Sequence, residues 1–413
     1  MNFRPGTGPR SGGRRGLVTL GAALVGAIVL LLLWTNLSAV RRSLSSGLER
    51  LEHTRENVHS QLSVANSKLR ELEGKLVELG EEVKKLDEIK KSILAQSNRA
   101  GSESDMNDIS ATPEELDKLD VMERFKLERK LLRKEGEKRS KNPRRMALRK
   151  AKGVIVTAAD TGYYHALINL IGSVHFWDPE RNIVAFNLGM TAAELADIRS
   201  MDRVIVMESP IQRNLKNYAW KALCLKQATQ LYGKTIWLDA GSDLRGDPVI
   251  IDKLLEKEDA FFVQGQDENM APWAHPTTLS FFDTDKTKVF GKYSFSGNLQ
   301  GYVYDSQAYW EVLLVVEKCC LIPECIAPSG SSLANHRYDQ IAMSSAIYTS
   351  PWMTIIPHTE LLAAQRDQLS PDHRTPSSHM VWSARGGTSD YVQYIKRNRV
   401  PFNAPTVKQL MGD

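Results

Sequence analysis

"KTIWLDAGSDLRGDP", Lys234 to Pro248, decides how this chain is read. Thr235, Ile236, Trp237 and Leu238 are β-branched or apolar, the pattern of a buried strand. Asp239 and Asp243 follow, with small residues between them. A buried strand ending in carboxylates can hold a metal ion at the rim of a sheet. The same letters also fit a strand followed by a polar turn.

Outward from that stretch, strand-like and helix-like segments alternate. "GVIVTAA" from Gly153 reads as a buried strand, and "YYHALINLIGSVHFW" has helical spacing. "RNIVAFNLG" is a second strand, "TAAELADIRSM" a helix and "DRVIVMES" a third strand. "YAWKALCLKQATQLYG" is a helix with an apolar face, and "KTIWLDAG" closes the series. This order predicts an α/β domain, a parallel sheet covered by helices on both faces. Ligands in such sheets bind outside the carboxyl ends of the strands. Thr157 to Asp160 and Asp239 to Asp243 end the first and fourth strands, so they are expected at one site. No GxGxxG and no P-loop follows a strand, against a dehydrogenase or an NTPase.

The 413 residues leave room for more than this domain. Residues 1–15 form a basic tail with Arg4, Arg10, Arg14 and Arg15. "GLVTLGAALVGAIVLLLLW", Gly16 to Trp34, carries no charge and matches the thickness of a bilayer core. A transmembrane anchor is expected over 16–40. The charge before it predicts a cytosolic N-terminus and a lumenal remainder. From Leu51 to Ile93, apolar residues including Val58, Leu62, Leu69, Leu72, Leu76, Leu79, Val83 and Leu86 recur at steps of three and four. That is a heptad seam, and it predicts a coiled-coil stem over 41–95 and a homo-oligomer. Residues 96–152 read as a linker and a basic, solvated helix. The globular domain then runs over 153–413. The net charge of +5 is modest and concentrated in the tail and the basic helix. A nucleic-acid protein would more often interleave such charge with aromatics and glycines on a folded surface, whereas this run reads as a solvated connector, so no nucleic-acid partner is expected. The cysteines are Cys224, Cys319, Cys320 and Cys325, and the lack of a CxxC pair speaks against a structural zinc site. In a lumen, Cys319 or Cys320 can pair with Cys325.

These features together resemble a Golgi glycosyltransferase of the GT-A fold, in particular the glycogenin-like family 8. "VIVTAADTGYYHALINLIGSVHFW" is similar to that family's opening strand and helix. "YAWKALCLKQATQLYGKTIWLDAGSDL" resembles its helix-then-strand segment ending in a DxD motif. "GNLQGYVYDS" is similar to its Asn-x-Gly segment, "YDQIAM" to its Asp-Gln segment, and "HMVWSARGG" to its His-x-x-Gly-x-x-Lys motif. A closer resemblance is to the nucleotide-diphospho-sugar transferase-like proteins of plants, algae and nematodes, through "CCLIPECIAPSGSSLANHRYDQ", Cys319 to Gln340. That likeness favours Cys319 as the partner of Cys325. It covers roughly Gly153 to Gly387. Two positions depart from the family pattern: Gly241 replaces the second Asp of DxD, and Trp382 replaces the Gly of the His motif.

The resemblance implies a Rossmann-like GT-A fold and a type II Golgi membrane enzyme. It would transfer sugar from a nucleoside-diphosphate sugar, a UDP-sugar by analogy, to a lumenal glycan, protein or lipid acceptor. A Mn²⁺ or Mg²⁺ ion would neutralise the leaving diphosphate. Asp239, Asp243 and His379 are the expected metal ligands. Thr157, Asp160, Lys221, Asp239, Asn298, Gly301 and Arg385 are expected to contact the nucleotide sugar, with Gln300 beside them. Asp339 and Gln340 are expected to act on the reacting sugar, and Glu208 is a further carboxylate at a strand end. Each has a plainer alternative: a turn for Asp239 and Asp243, snorkelling for Lys221, helix caps for Asp160 and Asp339, an exposed loop arginine for Arg385. The rival to an enzyme is a catalytically silent lumenal binding or scaffold protein, which Gly241 favours.

Overall fold

The computed structural model describes residues 119–412, apart from 212–214, 352–357 and 385–387. The expected tail, anchor and stem lie outside the described residues, as does Arg385. Among the described residues, no helix is long and apolar enough to cross a membrane.

Helix α1, Val121–Arg139, opens the described chain, with Asp120 capping the backbone N–H groups of Met122 and Glu123. A short α2, Arg145–Lys150, leads to strand β1, Val154–Ala159. Then follow α3 (Tyr164–Trp177), β2 (Ile183–Asn187), α4 (Ala192–Arg199), β3 (Val204–Glu208), α5 (Trp220–Tyr232) and β4 (Lys234–Leu238). Local chemistry sets several boundaries. Thr191 and Glu194 form a capping box that starts α4. Gly233, at φ 78°, ends α5 in a backbone region that side chains disfavour.

The second half holds β5 (Ser242–Leu244), α6 (Val249–Glu258), β6 (Ala260–Gln264), α7 (Pro276–Phe281) and β7 (Phe295–Val303). A π-helical turn, Tyr309–Leu313, runs into α8 (Leu314–Cys320). After it come α9 (Pro323–Ile326), α10 (Tyr338–Tyr348), β8 (Leu362–Ala363), β9 (Val381–Ser383) and α11 (Val407–Met411). The main sheet has the order β3-β2-β1-β4-β7-β6. β1 to β4 are mutually parallel, and β7 inserts antiparallel between β4 and β6. The expected parallel sheet is thus a mixed, Rossmann-like one. A small second sheet, β5-β9-β8, continues the chain that leaves β4.

Alternation along the strands builds a core on each face. On β4, Trp237 packs with Val156, Leu225 and Met343 on one face, while Ile236 and Leu238 join Ile155, Leu170 and Leu255 on the other. β1 has β2 on one side and β4 on the other, so the order of connection reverses there. Crevices at such reversals are where α/β sheets bind ligands.

Helix α1 is packed on the domain, not a solvated connector. Phe125 is buried edge-on against Phe281 and Phe282, at 5.4 and 5.5 Å between ring centroids. The buried Arg129 donates to the carbonyls of Phe282 and Thr349. Arg133 pairs with Glu311 at 3.2 Å. Basic composition hides this docked face, because one aromatic ring and one satisfied guanidinium hold it. Cys319 and Cys325 form a disulfide between α8 and α9, and Cys320 is free and buried.

Candidate active site

The site grows from the end of β4. Residues 237 and 239 point to the same face of a strand, so the Trp237 indole lies beside the Asp239 carboxylate and donates to its Oδ1 at 2.8 Å. Asp239 N–H donates to Asn298 O, which extends the pairing with β7 by one step. Ser242 N–H then donates to Asp239 O, closing a tight turn into β5. Asp239 therefore stands at the sheet edge with its side chain 38% exposed.

Lys221 reaches the same point from the first turn of α5. Its Nζ lies 2.9 Å from Asp239 Oδ1 and 3.4 Å from Asp339 Oδ2, and it donates to Gly297 O at 3.0 Å. Three rings, of Tyr218, Trp220 and Trp237, surround the ammonium at 5.5 to 6.0 Å. Burial alone would lower its pKa, but Asp239 and Asp339 outweigh that and hold the ammonium well above its ordinary value. Asp339, on the first turn of α10, has its carboxyl raised by burial and by Asp239, with Lys221 pulling the other way. Lys221 is thus an ion-paired group joining two elements rather than a snorkelling lysine.

Backbone strain sits at the start of both helices, two residues before α5 and at the first residue of α10. Tyr218 and Tyr338 adopt φ of 56° and 32°, outside the usual region for side-chain-bearing residues. Strain of this kind clusters at sites that a surrounding fold over-determines. The glycine this site requires is Gly297. A Cβ there would lie 3.1 Å from Asp339 Oδ2 and 3.3 Å from Lys221 Nζ. Gly301, the glycine expected from sequence, sits deeper in β7, where a Cβ would lie 2.3 Å from Phe261 Cε1. Its smallness serves sheet packing.

The remaining expected residues divide. Gln340 follows Asp339, and its Nε2 donates to Ser294 Oγ at 3.1 Å. A cleft of about 390 Å³ lies beside it, lined by Gln264, Gly265, Glu360, Leu362, Gln368 and His379. A Cβ on Gly265 would come within 2.6 Å of Gln340 Nε2, so the cleft wall abuts that amide. Asn298 fastens the turn: Ser242 Oγ donates to its Oδ1, and its Nδ2 donates to Ser383 Oγ. Gln300 accepts from the Tyr302 hydroxyl. Thr157 is fully buried in β1, and its Oγ1 makes no hydrogen bond among the described residues. Asp160 caps the 3₁₀ turn Thr161–Tyr163, accepting from Tyr163 N–H. Glu208 accepts from Asn187 Nδ2.

Asp243 does not join Asp239. It is completely buried in β5 and pairs with Arg245, Nε to Oδ1 at 2.6 Å and Nη2 to Oδ2 at 3.0 Å. Asn169 Nδ2 and Thr388 Oγ1 also donate to Oδ2. Burial raises the Asp243 carboxyl, with Arg245 opposing; four donors on two oxygens fit the ionised form. The Arg245 guanidinium is held protonated: burial lowers its pKa, and Asp243 and Asp390 more than restore it. It lies 4.8 Å from the Trp382 ring and 5.1 Å from the Tyr391 ring. This explains Trp382: β9 pairs with β5, and the indole caps the buried guanidinium. In the Asn169–Asp243–Arg245–Asp390 cluster only Asp243 and Arg245 are neighbours in the chain; Asn169 and Asp390 reach them from distant segments, which leaves no local pattern for the whole.

Asp239, Asp243 and His379 therefore do not form a metal centre. Among the described residues no group of three His, Cys, Asp or Glu side chains could hold an ion. Gly241 offers no ligand, Asp243 is saturated, and Asp239 is already paired with an ammonium. The donor set does not fit the divalent ion expected from the sequence.

No protein-family model matches the sequence, and no curated protein matches it. Solved structures similar to the chain include the WbbM bifunctional glycosyltransferase, at TM-score 0.34 and 13% identity over 54% of this chain and 41% of that one. GlyE of Streptococcus pneumoniae TIGR4 gives 0.32 and 13%, over 46% of this chain and 42% of that one. The galactosyltransferase LgtC, in complex with donor and acceptor sugar analogues, gives 0.33 and 15%, over 46% and 69%. The chain thus spans about two fifths of the first two proteins.

Proposed function

We propose that this chain is a glycosyltransferase that takes its sugar from a nucleoside diphosphate, with a UDP-sugar as the first donor to test. One observation carries the reading: Asp239, Lys221 and Asp339 meet at the carboxyl edge of the sheet, beside the point where strand order reverses. Three segments of the family resemblance, the α5–β4 run, the Gly297 segment and the Asp-Gln pair, each supply one side of that meeting point. In this reading the exposed part of Asp239 accepts from donor hydroxyls. Asp339 and Gln340 face the sugar, and the cleft beside Gln340 receives the acceptor. The grouping with family 8, the type II anchor over 16–40, the oligomeric stem over 41–95 and a Golgi lumen belong to the same proposal.

The second reading is a silent lumenal binding protein, and Gly241 is the observation that favours it. A donor-hydrolysis screen separates the two. The transferase reading expects release of nucleoside diphosphate from one sugar nucleotide, lost in Asp239→Asn. Binding of a nucleotide sugar without turnover on any donor favours the silent protein.

A further inference from the structure

Each of the three protons of the Lys221 ammonium has an oxygen partner: Asp239 Oδ1, Asp339 Oδ2 and Gly297 O. Two of these partners are carboxylates from different elements, β4 and α10, drawn to a single cation. That is the arrangement a divalent ion would make, and here an ammonium occupies its centre. A second cation would have to approach Asp239 against this fixed positive charge. It would also find few ligands. Gly241 has no side chain, and Asp243 is turned into a buried pair with Arg245.

We infer that Lys221 takes the seat of the divalent cation, so that this site binds its nucleotide without a metal. The inference rests on the proposed nucleotide-sugar reading. Two carboxylates and one ammonium leave a single net negative charge where the carboxylates alone would leave two. An anionic diphosphate therefore meets less repulsion with Lys221 in place. Asp239 stays partly exposed and keeps its role as a hydrogen-bond acceptor. The sequence departure at Gly241 follows from the same arrangement: with the seat filled from α5, a second DxD carboxylate has no ion to bind.

The test is calorimetric titration of the full chain with UDP and with GDP, once in EDTA and once in Mn²⁺, for the wild type and Lys221→Gln. The inference expects a wild-type Kd for one nucleotide that agrees within threefold between the two buffers. It expects Lys221→Gln to bind more than tenfold more weakly in EDTA. A wild type that binds in Mn²⁺ but more than threefold more weakly in EDTA overturns the inference and leaves the nucleotide reading standing. Lys221→Gln binding as the wild type does in EDTA also overturns it. Failure to bind either nucleotide in either buffer overturns both readings. If Lys221→Gln does not fold, the wild-type comparison decides alone.

Discussion

Asp243→Asn should damage the fold, although the residue stands in the motif that looks most like a binding site. The carboxylate is wholly buried and takes four hydrogen bonds, two from Arg245 and one each from Asn169 and Thr388. An asparagine keeps one acceptor oxygen and turns an NH₂ towards groups that are themselves donors. Arg245, itself 1% exposed, would retain only Asp390 as a charged partner, at 2.8 Å. Removing one member of a buried ion pair costs about 3–5 kcal/mol. For a domain of this size that lowers Tm by about 10 °C. Asp239→Asn is the control. Asp239 is 38% exposed, and Lys221 would keep Asp339 and Gly297. Solvent screening limits that loss to about 1 kcal/mol or less. Urea denaturation followed by tryptophan fluorescence measures both. Asp243→Asn within about 1 kcal/mol of the wild type, or Asp239→Asn as damaging as Asp243→Asn, would refute the division into a structural and a functional carboxylate.

Other outcomes follow from the same geometry. His336 is buried and neutral, its Nδ1 accepting from His275 N–H and its Nε2 facing Ile326 O, and burial pushes its pKa down to about 4. Protonation therefore favours the unfolded chain, so this contribution is present above about pH 6.5 and is lost as pH falls towards 4. By pH 5 the loss is about 2 kcal/mol; an imidazole NMR titration with a midpoint above pH 6 contradicts it. Phe125→Ala should cost about 3–5 kcal/mol because α1 belongs to the core. A change under 1 kcal/mol in the urea series would return α1 to the role of a connector. Peptide mapping without reductant should link Cys319 to Cys325 and leave Cys320 alkylatable only after unfolding. A Cys320–Cys325 peptide would contradict the structure.

The elements from β1 to β4 were legible because their signals are strong and local. Apolar runs of five or six residues alternate with amphipathic helices, and the boundaries at Thr191 and Gly233 are written in single residues. β6 and β7 were not legible as strands. "AFFVQ" is a run of five residues directly after the amphipathic α6, too short for periodicity to tell a strand from a helix end, and β7 carries Gly297 and Gly301, which read as loop or motif residues. Helix α1 was legible as a helix but not as a packed one, since Phe125 and Arg129 are two residues in a field of charge. In the site, the Lys221–Asp239 relation was legible through spacing on adjacent elements. The burial of Asp243 was not, because Asn169, Thr388 and Asp390 join the Asp243–Arg245 pair only in three dimensions. A polar letter after a strand looks the same whether it faces solvent or a buried guanidinium.

The measurement that bears most directly on the central claim is calorimetric binding of UDP-glucose, UDP-galactose and GDP-mannose to the wild type and to Asp239→Asn. The account predicts saturable wild-type binding of at least one donor, weakened more than tenfold in Asp239→Asn while the unfolding midpoint stays near that of the wild type. Equal binding by both proteins, or no binding by the wild type to any of the three, would contradict it.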